Sequence, residues 1–406
     1  MRLVREGRAV TLYEAAAQAG GRCRSYHDAK LDRSIDNGNH MLLSANVAAL
    51  SYLDEIGARH SLCAPQEAAY GFVDLRNGAR WTLRPNAGPL PWWILVPGRR
   101  VPETRPGAYL AGLRLAFAKP NQTVAEVLDP ADPLWETFWQ PLTVAALNTA
   151  PEEAAARLLW PVVRETFGQG ASACRPLIAR EGLAASFVDP ALALLREAGA
   201  EFHFNRRLRA IGFGADRATR LDFGEETVDL GPEERVVIAV PPNVAAALVP
   251  GLAAPEDSRP IVNGHIRLAQ APPLAPGMTT ERPFLGLVGG TAQWLFLRGD
   301  VVSLTVSAAA ELAEQPSDDI AKRFWAETVR ALDLDPNPAE RPTIRIVKER
   351  RATFAQTPEA LGRRAPARSR WTNLALAGDW TDTGFPATLE SAVRSGRAAA
   401  QVVTED

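Results

Sequence analysis

The chain has 406 residues, of which 46% are hydrophobic and 23% charged, so it is long enough for about two domains around a large core. A net charge of −2 provides no basic surface for nucleic acid, and we expect no nucleic-acid partner. The three cysteines are widely separated, which indicates neither a disulfide framework nor a metal site and suits a cytoplasmic protein.

The first residues predict the end of a helix followed by a strand. Leu3 to Glu6 has the pattern of a last helical turn, Gly7 suits a C-cap, and Ala9 to Tyr13 predicts a strand that ends at Glu14. In a dinucleotide-binding fold, an acid at the end of the second strand binds the adenosine ribose, about 20 residues after a glycine fingerprint. Counting back places that fingerprint before Met1. We therefore expect the domain to lack its first strand here, because either the true start lies upstream or this is a truncated copy.

Two glycines and two arginines follow this strand. Gly20 and Gly21 allow the backbone to approach a phosphate or a ring, and Arg22 and Arg24 add fixed positive charge. Taken alone, the pattern also fits a plain turn. Coming six residues after Glu14, the pattern resembles the glycine–glycine–arginine motif of the amine oxidase and phytoene desaturase superfamily of flavoproteins.

A second turn is predicted at Asn37 and Gly38, just before His40. Two interpretations of His40 remain open. It is either an ordinary loop histidine or a residue beside the reactive ring of a cofactor.

Residues 71–83 predict a β-hairpin, and two apolar segments with flanking basic residues come after it. Pro89 to Pro97 contains a tryptophan pair, and Ala108 to Lys119 is rich in leucine and alanine. They predict either an ordinary domain core or a lipid-facing surface, because tryptophan and amphipathic helices favour membrane interfaces. No run approaches the ~18 apolar residues of a membrane-spanning helix, so any contact with the inner face of the cell membrane is expected to be peripheral.

Further along, the pattern alternates between two domains. Apolar strands between residues 261 and 306 predict an antiparallel sheet, and Trp135, Phe138 and Trp139 belong either to its core or to the wall of an apolar tunnel. Strands between 200 and 240, the last ending at Pro241, return to the cofactor domain. We expect this discontinuous domain to comprise residues 1–70, 200–243 and 343–406, and an inserted substrate domain to comprise residues 71–199 and 244–342.

The strongest indication of the cofactor comes near the end of the chain. Leu374 to Ala377 predicts a strand buried on both faces, and Gly378 and Asp379 follow at its carboxyl end, where open α/β sheets bind ligands. A helix follows, and Pro386 is expected in its first turn.

An acid after a buried strand, followed by the start of a helix, suits a reduced flavin. The acid can bind a ribityl hydroxyl, and free N–H groups near Thr388 and Leu389 stabilise negative charge on the ring. The alternative is an ordinary terminal strand–helix unit.

Five segments together resemble the hydroxysqualene dehydroxylases, which belong to the amine oxidase and phytoene desaturase superfamily of flavoproteins. They are Asp36 to His40, Ala146 to Thr149, Gly286 to Phe296, Lys348 to Phe354 and Ala377 to Gly384. The resemblance implies an α/β fold with a Rossmann-like FAD-binding domain and an inserted α+β substrate domain that contains an antiparallel sheet. It also implies reductive removal of the allylic hydroxyl of hydroxysqualene, which gives squalene for hopanoid biosynthesis.

The resemblance implies one backbone contact, and the chemistry of the reaction leads us to hypothesise roles for four side chains. The residue matching Leu208 contacts adenine through its backbone. His40 or Asp382 would donate a proton to the leaving hydroxyl, while Trp294 and Phe296 would line the wall and stabilise an allylic cation. The alternatives are that these two aromatic residues are simple core and that Asp382 only caps the terminal helix.

Two other functions remain open. One is a carotenoid or isoprenoid desaturase or isomerase that uses oxidised FAD. The other is a non-catalytic remnant that binds isoprenoids or partner enzymes without FAD.

Overall fold

The computed structural model describes residues 1–405, which form twelve α-helices and nineteen strands. The helices are α1 Arg2–Arg5, α2 Val47–Glu55, α3 Pro106–Tyr109, α4 Val124–Val127, α5 Gln140–Leu147, α6 Ala156–Glu165, α7 Asp189–Glu197, α8 Pro242–Leu248, α9 Ala310–Glu314, α10 Ser317–Leu332, α11 Pro358–Gly362 and α12 Leu389–Thr404. The strands are β1 Thr11–Tyr13, β2 Ser25–Asp28, β3 Arg33–Asp36, β4 Met41–Leu43, β5 Leu62–Cys63, β6 Tyr70–Asp74, β7 Arg80–Leu83, β8 Pro176–Ala179, β9 Glu201–His203, β10 Ala210–Phe213, β11 Ala218–Asp222, β12 Thr227–Asp229, β13 Val236–Ile238, β14 Ser258–Arg267, β15 Phe284–Val288, β16 Trp294–Arg298, β17 Val301–Val306, β18 Thr343–Phe354 and β19 Leu374–Leu376.

Two parallel strand pairs bring distant parts of the chain together. Strand β1 pairs with β9, and β13 pairs with β19. Strand β19 is buried along its whole length, and Ala375 and Ala377 pack against Ala399 and Val403 of α12. This confirms the expected α/β arrangement, in which small residues let a helix lie close to a buried strand.

The second sheet has seven strands in the order β18-β14-β17-β16-β15-β6-β7, and all neighbours are antiparallel except β15 and β6. It includes the predicted hairpin, β6–β7. Helix α10 covers one face so closely that a Cβ on Gly264 would lie 2.3 Å from the ring of Phe324. The predicted antiparallel sheet is therefore confirmed.

One predicted domain boundary does not agree with the strand pairing. Strand β18 runs alongside β14 from Ser258↔Phe354 to Arg267↔Thr343. The sequence-based boundary at residue 343 separates these two paired strands. An alternating pattern marks a strand but not its neighbour, so a boundary after Phe354 fits the hydrogen bonding better.

Aromatic side chains fill the core beneath the second sheet. Phe138 contacts Trp139, Tyr109 and Phe167, with ring centroids 4.8, 5.4 and 5.5 Å apart. Trp135 lies in the same buried cluster. Of the two open interpretations, core packing describes these residues. None of the helices within residues 1–405 is both long enough and apolar enough to cross a membrane.

Candidate functional site

An ion pair joins the glycine–arginine turn to the end of β19. Gly20 and Gly21 adopt φ values of +107° and +53°, which side chains disfavour. The turn aims Arg22 at Asp379, and its Nη2 donates to Oδ1 at 2.7 Å across 357 positions of sequence. Arg22 also donates to the carbonyl of Ala352. The charge of Asp379 raises the pKa of Arg22, so the guanidinium stays charged.

Gly378 is required by the turn after β19. Its φ is +141°, and a Cβ there would lie 2.5 Å from the ring nitrogen of Trp380. That nitrogen donates to the carbonyl of Val240 at 2.9 Å, directly before Pro241. The carboxyl ends of β13 and β19 are thereby held side by side, at the edge where α/β sheets bind ligands.

Helix α12 begins beside this turn. Thr388 is its N-cap, and the threonine hydroxyl accepts the N–H of Ser391 at 3.2 Å. Pro386 is buried but precedes the cap, so the expectation that it lies in the first helical turn is wrong. The backbone of Thr388 is extended and its side chain caps the helix. The first helical residue is therefore the next one, Leu389.

A buried arginine shapes the whole loop from Asp379 to Phe385, and sequence reasoning missed it. Arg364 is only 7% exposed, and burial lowers its pKa. Its guanidinium donates to four backbone carbonyls and one hydroxyl: Asp379 O at 3.2 Å, Trp380 O at 3.3 Å, Thr381 O at 3.0 Å, Phe385 O at 2.9 Å and Thr383 Oγ1 at 3.1 Å. In the sequence, only the position of Arg364 shortly before β19 indicates that it binds this loop.

At the end of β1, the chain builds an aromatic stack. The ring of Tyr13 stacks on His203 and Phe223, with centroids 5.0 and 4.5 Å away. Leu208 packs into the same cluster. The carboxylate of Glu14 accepts the N–H of Ala16 at 2.8 Å, which fixes the turn that leads away from the strand.

The turn before His40 is anchored by side chains of the second sheet. Asn37 donates its backbone N–H to the carbonyl of Arg24 at 3.0 Å and its side-chain amide to Glu349 at 2.8 Å. A Cβ on Gly38 would lie 3.3 Å from the amide nitrogen of Asn263. The two predicted cofactor-binding turns are therefore adjacent.

His40 lines a small cavity together with Asp36, Phe296 and Ser303. The cavity measures about 40 Å³, which suits water rather than a long hydrocarbon. Burial lowers the pKa of His40, and the nearby Asp36 carboxylate opposes that change. Asp36 is itself fixed by Arg298, whose Nη2 donates to Oδ2 at 2.9 Å.

The aromatic candidates lie on one face of β16. Trp294 and Phe296 pack around Phe284, with ring centroids 6.1 and 6.3 Å away. Phe296 also faces the His40 cavity. Asp382, in contrast, is exposed, and its carboxylate accepts the N–H of Gly384 at 3.3 Å. Asp382 neither lines this cavity nor caps α12, since Thr388 is the cap.

Comparison with known proteins supplies the family. The model of flavin-containing amine oxidoreductases matches residues 1–404. A hydroxysqualene dehydroxylase of Rhodopseudomonas palustris is 44% identical over 404 residues, covering 99% of this chain and 94% of that protein. One from Zymomonas mobilis is 43% identical over 399 residues, covering 98% and 93%.

A solved structure supports the fold. An oxidoreductase from Methanosarcina mazei superposes with a TM-score of 0.70 over 98% of this chain and 96% of that one, at 12% identity. The match confirms the α/β architecture with its mixed and antiparallel sheets. The family model confirms the expectation of a flavin-dependent oxidoreductase. The chain therefore belongs to the flavin-containing amine oxidoreductases and, among them, to the hydroxysqualene dehydroxylases.

Proposed function

We propose that this protein binds FAD and reductively removes the allylic hydroxyl of hydroxysqualene, giving squalene and water in hopanoid precursor biosynthesis. The names of the relatives supply the substrate. The observation that carries the proposal is the meeting of Arg22 with Asp379 at 2.7 Å, beside the His40 turn. It brings a fixed cation, a buried carboxylate and two glycines with positive φ together where strands end.

These residues fit a flavin dinucleotide. Gly21 has open space where a Cβ would be, so a phosphate can approach its backbone, and Arg22 and Arg24 offer positive charge. Asp379, 6% exposed, suits a ribityl hydroxyl, and the N-terminus of α12 suits an electron-rich ring edge. The residues proposed to hold FAD are Glu14, Gly20, Gly21, Arg22, Arg24, Asn37, Gly38, Leu208, Pro241, Gly378, Asp379, Pro386, Thr388 and Leu389.

The finer organisation of the domain is also a proposal. Pairs β1–β9 and β13–β19 have no hydrogen-bonded neighbour in common within residues 1–405. A dinucleotide fold has its first strand and glycine loop between such pairs, so we propose that this strand is the missing part of the sheet. The discontinuous cofactor domain and inserted substrate domain are proposed with the boundary moved to follow Phe354.

Chemically, the C–O bond of the allylic alcohol breaks and a C–H bond forms at carbon. A reduced flavin, when bound, supplies the hydride with its two electrons. The chain must supply a proton so that the hydroxyl leaves as water. His40 is the proposed donor, because burial lowers the pKa of its imidazole and so makes the protonated form a stronger acid.

Stabilising the allylic cation is the remaining task. The faces of Phe296 and Trp294 are the proposed source, because an aromatic face attracts positive charge most strongly where water is excluded. The cavity of about 40 Å³ beside Phe296 must widen before a C30 chain can enter. We also propose that the protein contacts a membrane peripherally, since its substrate dissolves in lipid.

Anaerobic single turnover tests the function. The protein is loaded with FAD, reduced chemically and mixed with hydroxysqualene. Squalene, with return of the oxidised flavin spectrum, is the expected result. Double bonds introduced into a polyene by the oxidised form would favour a desaturase instead. Failure to take up FAD would favour a non-catalytic isoprenoid-binding protein.

A further inference from the structure

Large hydrophobic side chains are exposed mainly in one part of this protein. Seven of the ten that stand exposed within residues 1–405 lie between positions 90 and 117. Scattered exposed apolar residues need no explanation, but a contiguous group marks an interaction surface. The interfacial patch consists of Leu90, Trp92, Leu95, Val96, Leu110, Leu113 and Phe117.

The second half of the patch is a 3₁₀ helix, Leu110–Phe117. With three residues per turn, positions three apart share a face. Gly112 and Leu115 face the core, and a Cβ on Gly112 would lie 2.4 Å from the ring of Trp139. Leu110 and Leu113 consequently face solvent, 48% and 57% exposed. The three-residue period therefore gives this helix two apolar faces. One packs against the core, and the other is exposed to solvent.

The first half repeats this division in a shorter turn, Trp92–Leu95. Trp93 and Ile94 are buried, whereas Trp92 and Leu95 are 48% and 65% exposed. The ring of Trp93 lies edge-on to Tyr109, with centroids 5.1 Å apart, so both turns rest on the same core. That buried cluster also includes Phe284, around which Phe296 packs.

The charge around the patch has one sign. Between positions 84 and 119, six basic residues accompany a single acid, Glu103, although the whole chain carries −2. None of these seven charged groups forms a salt bridge in the part of the chain that the structure describes. Arg99 lies over the exposed Trp92 ring, 4.9 Å from its centroid. The six basic residues are Arg84, Arg99, Arg100, Arg105, Arg114 and Lys119.

We infer that the interfacial patch docks the protein on an anionic lipid bilayer. Exposed leucine, tryptophan and phenylalanine enter the headgroup boundary, and the surrounding arginines and Lys119 bind lipid phosphates. A second copy of the chain fits poorly, because a symmetric contact would bring the two basic rims together. Resting on the proposed function, the patch places the core shared with Phe296 next to the phase in which hydroxysqualene dissolves.

Co-sedimentation of the full-length protein with vesicles tests the docking. We expect binding to vesicles of phosphatidylglycerol and phosphatidylcholine, weak binding to pure phosphatidylcholine, and loss on adding salt. The charge variant R99Q/R114Q should bind roughly 25-fold more weakly, since each basic residue contributes about fivefold. The apolar variant L113Q/F117S should lose roughly tenfold or more.

Matched controls change exposed residues elsewhere. L274S removes an exposed leucine outside the patch, and R323Q/R350Q removes two arginines from other surfaces. Both should bind like the unchanged protein. The proposal is overturned if the unchanged protein ignores anionic vesicles, or if patch and control variants bind alike. It is also overturned if L113Q/F117S dissociates a dimer in solution.

Vesicle binding is measured without substrate or turnover, which keeps the two proposals separate. Should dehydroxylation fail while vesicles still bind, only the proposed function falls. When hydroxysqualene is presented in detergent, the patch variants should turn it over at the unchanged rate. All variants should keep the melting temperature, because the changed side chains are exposed, apart from Arg99, which is half-buried and forms no salt bridge within residues 1–405.

Discussion

The Nε of Arg364 lies 3.0 Å from the carbonyl oxygen of Thr381, beneath the loop that presents Asp379. Its other donors reach further carbonyls of the same loop. A buried cation is stable only when its donors are satisfied, and here backbone oxygens rather than a carboxylate satisfy them. The position of the Asp379 carboxylate thus depends on a residue that need not touch the cofactor.

Replacing Arg364 with methionine should destabilise the protein and disorder this loop. Several buried carbonyls would lose their partner, at a cost on the order of 3 kcal/mol in the free energy of unfolding. Urea unfolding and bound flavin per protein measure the two effects. The control is Arg363→Met, next in sequence but only partly buried, whose pairs with Glu256 and Glu359 are worth about 1 kcal/mol at most. Equal losses in both variants would contradict the role of Arg364.

Replacing Gly378 with alanine introduces both a steric conflict and backbone strain, because its φ is +141°. The new Cβ would meet the Trp380 ring at 2.5 Å, so we expect a loss of about 2–4 kcal/mol. The control Gly384→Ala also has positive φ, +67°, but no atom within 4 Å of its Cβ position, and should cost only about 1 kcal/mol. Chemical unfolding of both variants provides the comparison. Similar losses would argue that the Trp380 contact is unimportant.

Local pattern was sufficient to predict much of the cofactor domain. The apolar run Leu374 to Leu376 contains no alternation, and it forms a strand that is buried on both faces. Gly7 ends α1 with a φ of +76°, as its place after a helical turn predicts. These features depend on neighbours in sequence, so sequence reasoning can find them.

Features that depend on distant partners could not be found in this way. The carboxylate of Glu390 accepts the N–H groups of Ala48 and Ala49 at 3.1 and 2.8 Å, and so caps α2 from α12. Arg364 and the pairing of β18 with β14 are hidden for the same reason. Residue type indicated what these groups can bind, but only the fold determines which partner they meet.

Asp379→Ala should weaken flavin retention more than folding. The change removes the acceptor proposed for a ribityl hydroxyl and leaves Arg22, which is partly exposed, able to turn toward solvent. We expect flavin affinity to fall at least about tenfold, in keeping with a charge-assisted hydrogen bond. Absorbance of retained flavin and the melting temperature of the apoprotein measure the two quantities. Asp382→Ala, an exposed acid of the same loop, is the control. Unchanged flavin content in Asp379→Ala would refute its assignment.

His40→Gln should slow the single-turnover formation of squalene by about 10²-fold or more while flavin content stays the same. Because burial lowers the pKa of His40, the protonated donor becomes scarcer as the pH rises, and the rate should fall with rising pH. This pH dependence should disappear in the variant. If His40→Gln keeps the rate and Asp382→Asn loses it, the proton donor is Asp382.

Acid should destabilise this protein through His265, which is 1% exposed on β14. Its Nδ1 lies 2.8 Å from the hydroxyl of Ser303, and its Nε2 has no hydrogen-bond partner within residues 1–405. Burial lowers the pKa of His265 from 6.5 to about 4, with Asp36 opposing the shift and Arg298 adding to it. Between these values the unfolded chain binds the proton and the folded chain does not, so stability falls as the pH falls. From pH 6.5 to pH 5 the loss should be about 1.5 kcal/mol, because half of the unfolded-state histidine is already protonated at pH 6.5. Urea unfolding measures the free energy of unfolding at each pH in this range. That free energy should change less with pH in His265→Gln than in the unchanged protein. In the control His60→Gln, at an exposed histidine, it should change as much as in the unchanged protein. If the free energy of unfolding depends on pH in the same way in all three proteins, another group is responsible for the acid sensitivity.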